Sequence, residues 1–320
     1  MHLKKKITLT IFVVVILASV CGYYFYGRHG NDYAYHSESQ YSQLTATSIS
    51  EELTFASISE GYANAQLLVD DEWVLGHLDD QYVRIIDVRS EQDYVRGHIR
   101  SAVSLEFEEL RATVDGITNV APKDKVEVVL GNLGLTHEVT VVIYDESESM
   151  DAALVFWTLE YYGHTDVRIL DGGLRSWIDN GNPTTKENSK YEKTTYEAVI
   201  RPEILATAEF VLDNLENPKV VIVDSRSPEE YEKGHIPGAV NIEWKRNLNS
   251  NGEFKSATEL LEVYNDLGVT KDLEVVTYCG SGRRASHTYF ALRLLGYTVR
   301  TYDGSWEEWG NRADLPVEQS

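Results

Sequence analysis

The chain has 320 residues, room for two domains of ordinary size. Hydrophobic residues make up 42% and charged residues 25%, which excludes a disordered or low-complexity chain. Lys and Arg number 29 against 51 Asp and Glu, a net charge of −22. A surface that negative repels phosphate backbones, so nucleic acid is excluded as a partner, and an anionic small substrate needs a local cationic pocket.

In chain order, residues 1–28 read first as an export or anchoring segment. Lys4, Lys5 and Lys6 precede 21 uncharged residues, Ile7 to Gly27, ended by Arg28. That is long enough to cross the hydrocarbon of a bilayer, with the lysines holding the N-terminus in the cytoplasm. A retained single-pass anchor fits better than a cleaved signal peptide, because Ala18-Ser19-Val20 is a poor cleavage site. Acylation of Cys21 fits less well, since bulky Val20 precedes it. The rest of the chain is thus expected on the extracytoplasmic (periplasmic) side. Residues 29–60, rich in Ser, Thr, Tyr, Glu and Gln, read as a spacer.

The remainder is an internal repeat. Asp87-Val88-Arg89-Ser90, Tyr94 and Gly97-His98-Ile99 match Asp224-Ser225-Arg226-Ser227, Tyr231 and Gly234-His235-Ile236, each pair 137 residues apart. Val141–Asp145 then aligns with Val275–Cys279, and Asp171-Gly172-Gly173…Trp177 with Asp303-Gly304-Ser305…Trp309. A period this long marks duplicated domains rather than a short-repeat solenoid. The boundaries are set at 61–185 and 201–320, with a linker over 186–200.

Short β-branched runs predict strands at 83–87, 139–144, 167–170, 220–224, 274–278 and 298–302. Apolar residues at helical spacing predict helices over 150–163 and 284–296. Uniformly apolar strands alternating with helices imply an α/β fold, with a mostly parallel sheet flanked by helices in each copy. Ligand sites in such sheets lie beyond the carboxyl ends of the strands.

Cys279 falls at one of those ends. It is the one cysteine outside the apolar N-terminus, which excludes an internal disulfide framework and a CxxC zinc site. The run Cys279-Gly280-Ser281-Gly282-Arg283-Arg284-Ala285 passes from a strand end into a helix start. Gly280 and Gly282 let the backbone curl so that N–H groups converge on an anion. The helix start and two arginines add positive charge. The anionic thiolate is the reactive form of cysteine, so Cys279 is read as a nucleophile rather than as core filler.

Taken together, these motifs resemble tandem-domain rhodaneses of the bacterial thiosulfate sulfurtransferase type, with a relation to mercaptopyruvate sulfurtransferases. The resemblance spans about Tyr62 to Glu318. It implies two rhodanese-like domains, each with a five-stranded parallel sheet. It also implies that Cys279 takes a sulfane sulfur from thiosulfate as a persulfide and passes it to cyanide or a thiol. Gly280, Ser281, Gly282 and Ala285 would form the pocket floor. Arg283 and Arg284 would attract the donor and neutralise the departing sulfite. Asp145, standing at the cysteine position, makes the first copy non-catalytic. Asp224 and Arg226 recur as Asp87 and Arg89 in that copy, so a structural ion pair is the preferred reading; Arg226 is also carried as a candidate substrate contact. His98 and His235 recur likewise and read as packed histidines.

The Cys-Gly-Ser-Gly start is similar to mercaptopyruvate enzymes, which makes 3-mercaptopyruvate the alternative donor; the arginines after Gly282 favour thiosulfate. A membrane-anchored relay fed by a partner protein is a further alternative. A phosphatase of this fold would need an arginine six residues after the cysteine, where Ala285 stands. No metal, nucleotide or flavin motif is visible, so no cofactor is expected.

Overall fold

The computed structural model describes residues 61–319. The candidate anchor (1–28) and spacer (29–60) lie outside the described residues. Among the described residues no helix is long and apolar enough to cross a membrane.

The first lobe carries strands β1 (Leu68–Val69), β2 (Val83–Asp87), β3 (Ala102–Ser104), β4 (Arg111–Val114), β5 (Ile117–Val120), β6 (Thr140–Tyr144) and β7 (Val167–Leu170). Its helices are α1 (Asp71–His77), α2 (Glu91–Tyr94), α3 (Lys123–Asn132), α4 (Met150–Tyr161) and α5 (Gly173–Asp179). The second lobe follows with β8 (Leu205–Ala206), β9 (Val220–Asp224), β10 (Val240–Asn241), β11 (Glu274–Tyr278) and β12 (Thr298–Tyr302). Its helices are α6 (Ala208–Asp213), α7 (Pro228–Lys233), α8 (Ala257–Asn265), α9 (Arg283–Leu295) and α10 (Ser305–Trp309).

Each lobe holds one five-stranded, all-parallel sheet, ordered β1-β7-β6-β2-β3 in the first and β8-β12-β11-β9-β10 in the second. The two orders are the same once the repeat is applied. The register repeats too: Asp87 lies opposite Tyr144, and Asp224 opposite Tyr278. Asp145 and Cys279 therefore leave corresponding central strands at corresponding carboxyl ends. β2 is buried along its whole length, as expected of a parallel strand covered on both faces.

One hydrophobic core runs through both lobes. α4 and α9 pack against each other, with Phe156 and Phe290 edge to face at 4.7 Å. Ile143 and Leu154 of the first lobe join the same cluster as Val275 and Leu294 of the second. The outer faces form two smaller clusters around Trp177 and Trp309.

The linker, 186–200, has no regular secondary structure and lies as a strap along the first lobe. Tyr191 stacks 3.3 Å from the Arg84 guanidinium, Thr194 N–H donates to Gly131 O at 2.9 Å, and Val199 N–H donates to Tyr162 O at 3.0 Å. The sequence pattern marked the segment only as a connection. Its anchoring depends on single residues placed far away in the chain.

Candidate active site

Cys279 is the first residue after β11 and is 1% exposed. Three residues separate it from α9, whose first N–H groups have no acceptor inside the helix. The loop is held from below by Ser305. Its Oγ accepts from Cys279 N–H and Gly282 N–H, both at 3.1 Å, and donates to Tyr302 O at 2.8 Å. Two further bonds latch the loop to α10: Trp306 N–H to Cys279 O at 3.0 Å and Glu307 N–H to Gly280 O at 2.8 Å. Ser305 sits at φ 52, a left-handed conformation that Gly173 takes in the first lobe at φ 59. A side chain is tolerated there because the hydroxyl replaces three contacts that a glycine cannot make.

Gly282, at φ 87, permits the helix entry, and a Cβ there would fall 2.3 Å from Asp303 Oδ1. Ala285 is fully buried in the first turn of α9. Arg284 stays beside the sulfur: its Nη2 lies 3.1 Å from where a Cβ on Gly280 would stand. Its guanidinium is held protonated chiefly by the hydrogen bond to Glu230, against the cost of burial. The Glu230 bond is bidentate, at 2.5 and 2.9 Å. Arg283 leaves the loop for the first lobe, pairing with Asp151 and lying 4.7 Å over the Phe107 ring.

The corresponding loop of the first lobe, one residue longer, closes on its own side chain. The Asp145 carboxylate accepts N–H groups from Ser147, Ser149 and Asp151 at 3.1 Å and from Ala152 at 3.5 Å. The lobe thus fills its own anion-binding nest with a side chain. Burial is so complete that the Asp145 carboxyl is nonetheless pushed up to about 6, with Asp151 adding to the rise.

Sequence reasoning missed the first lobe's contribution to the Cys279 loop. The antiparallel hairpin β4–β5 inserts Arg111, whose Nη1 donates to Asp303 Oδ1 at 2.7 Å and whose Nη2 donates to Ser281 O at 3.1 Å and Thr118 O at 3.0 Å. Val120 N–H reaches the other Asp303 oxygen at 2.6 Å, and Thr118 N–H reaches Glu307 at 2.8 Å. The signal for the hairpin was present: Asp115-Gly116 between β-branched runs, both at positive φ. The partner of Arg111 was not, because Asp303 lies in the other copy of the repeat.

Arg226 is buried and tied down through Nε and Nη2. It donates to Asp224 through Nε and Nη2 and to Gly234 O at 2.8 Å, with Trp306 4.5 Å from its guanidinium. Arg89 repeats the arrangement with Asp87 and Gly97 O. The pair braces the sheet end in both lobes, and no bond of Arg226 goes to the Cys279 loop. His98 and His235 stack on Tyr94 and Tyr231 at 3.8 and 3.7 Å and each bonds that tyrosine's carbonyl.

Comparison with known proteins agrees with this architecture. The model of the rhodanese-like domain family matches residues 70–180 and again 207–312. A "Sulfur carrier protein TtuD" of Thermus thermophilus is 38% identical over 80% of this chain and 98% of its own length. A Haloferax volcanii protein named "Putative thiosulfate sulfurtransferase" is 35% identical over 79% of this chain and 96% of its own. Among solved structures, SseA of Escherichia coli, described with the 3-mercaptopyruvate enzymes, has a TM-score of 0.70 at 28% identity, covering 75% of this chain and 98% of that one.

Proposed function

The chain belongs to the rhodanese family, and on that premise we propose that it moves a sulfane sulfur from thiosulfate to cyanide or a thiol through a persulfide on Cys279. The observation that carries the reading is Cys279, the one cysteine among the described residues, at the carboxyl end of β11 in a loop whose first-lobe counterpart cradles a carboxylate. The Cys279 thiolate attacks the outer sulfur of thiosulfate, the donor's S–S bond breaks, and sulfite leaves with the electron pair. A persulfide anion remains on Cys279, and a thiophilic acceptor removes its terminal sulfur in the second step. Backbone N–H groups in the first turn of α9, left without acceptors inside the helix, would stabilise the negative charge present in every state of this cycle. Arg284 supplies the nearest fixed positive charge.

A second donor, 3-mercaptopyruvate, is favoured by the Cys279-Gly280-Ser281-Gly282 run and by the likeness to SseA. Delivery of the sulfur to a protein acceptor is favoured by the likeness to a protein named as a sulfur carrier. Intact-mass measurement before and after exposure to each donor tests the reading. The expected result is a gain of one sulfur atom that cyanide removes and that Cys279→Ser never acquires. No gain from either donor would sink it.

A further inference from the structure

Neither cation of the Cys279 loop is free to meet a donor alone. Arg284 is gripped by both oxygens of Glu230, and Arg283 is paired with Asp151. The fixed charges beside the sulfur therefore cancel, in a protein whose net charge is already −22. Glu230 is itself well placed to hold Arg284. It closes the capping box of α7, with Ser227 N–H donating to Oε2 at 3.2 Å and its own N–H donating to Ser227 Oγ at 3.3 Å. Arg284 drives its carboxyl down to about 2, so it is ionised at neutral pH. The Glu230 side chain is 40% exposed and that of Arg284 25%, so the pair is open to solvent.

The candidate donors differ by one charge. With thiosulfate, a dianion approaches a thiolate, and three negative charges converge before sulfite leaves. With 3-mercaptopyruvate, a monoanion approaches: the thiolate attacks sulfur, the C–S bond breaks, its electron pair takes up the thiol proton at carbon, and pyruvate leaves a persulfide anion behind. An ionised carboxylate fixed on the nearest arginine weighs more heavily on the first encounter than on the second.

We propose that Glu230 is a specificity-determining residue: by occupying Arg284 it limits the advantage that the arginine gives doubly charged sulfur donors such as thiosulfate over singly charged ones. The inference rests on the sulfurtransferase reading. Its test compares kcat/KM for the two donors in the full chain, in wild type, Glu230→Gln and Glu230→Asp. Gln keeps the side-chain shape and the capping role at this helix position, whereas Asp keeps the charge. In Glu230→Gln the thiosulfate value should rise about fivefold to tenfold, mostly through KM, and the gain should shrink as salt is added. The 3-mercaptopyruvate value should change by less than about twofold, and Glu230→Asp should keep the wild-type preference. Equal changes for both donors, a fall with thiosulfate, or the same altered preference in Glu230→Asp would each overturn the proposal. A wild type that takes sulfur from neither donor would instead overturn the sulfurtransferase reading beneath it.

Discussion

On α9, the imidazole of His287 is completely buried, stacked on Phe254 at 4.8 Å and edge-on to Trp244 at 5.1 Å. Asn247 Nδ2 approaches its Nδ1 at 3.3 Å, and its Nε2 has no hydrogen-bond partner. Burial pushes its pKa down to about 3, from about 6.5 for an exposed histidine. Between those values the unfolded chain binds a proton that the folded chain refuses, so stability falls as pH drops from 6.5 towards 3, by up to about 1.4 kcal/mol per pH unit. Above pH 6.5 this histidine contributes no slope. Urea unfolding of wild type and His287→Leu at pH 7.5 and 4.5 checks this. The variant should be the less stable at pH 7.5, and the gap should close by about 2–3 kcal/mol at pH 4.5. A gap independent of pH would mean that the imidazole is not held neutral. At this scale the sequence was most informative where chemistry is local. Cys279, its glycines and its arginines could be read from one short run, and the Asp224–Arg226 pair from its recurrence in a lobe without the cysteine. The brace at Ser305 was not legible, since Asp-Gly-Ser and Asp-Gly-Gly differ by one hydroxyl whose partners lie 26 and 23 residues back in the chain.

Among the elements, the six strand runs rich in β-branched residues and the two long helices lie where their patterns placed them, within a residue or two. The edge strands β1, β3, β8 and β10 span only two or three residues each. Such segments carry too little periodicity to be seen, and pairing with a neighbour defines them. The β4–β5 hairpin matters more for function. Its Arg111 side chain is 6% exposed and that of Asp303 2%, and burial holds the Asp303 carboxyl above its usual range even beside Arg111. Removing one partner of such a pair strands a buried charge. Arg111→Met should therefore cost about 3–5 kcal/mol of stability in chemical denaturation. It should also slow sulfur uptake, because the Ser281 carbonyl loses its donor. Adding Asp303→Asn should recover part of the stability, as the stranded charge is gone while the acceptor for Val120 N–H remains. A single variant within 1 kcal/mol of wild type, about what an exposed pair contributes, would show that the hairpin merely rests on the loop.

Across the whole molecule, the duplication foretold two lobes but not how closely they are joined. A repeat reports what each copy shares, whereas the face where the copies meet is where they must differ. Glu160 of α4 illustrates the difference: it is buried and accepts from Tyr289 Oη at 2.7 Å and from Arg293 Nη2 at 2.7 Å, both on α9. With the Phe156–Phe290 contact beside it, the first lobe, which lacks a cysteine, packs directly against α9, the helix that follows Cys279. A core continuous across two lobes should make them unfold together. Phe290→Ala, which empties space at the centre of the seam, should cost about 3–5 kcal/mol. Hydrogen exchange should then show β6 and β11 losing protection in parallel, at one shared free energy. If β11 instead exchanges early while β6 keeps wild-type protection, the lobes are independent folding units, and the first lobe's part in the site reduces to the local contacts of Arg111 and Asp151.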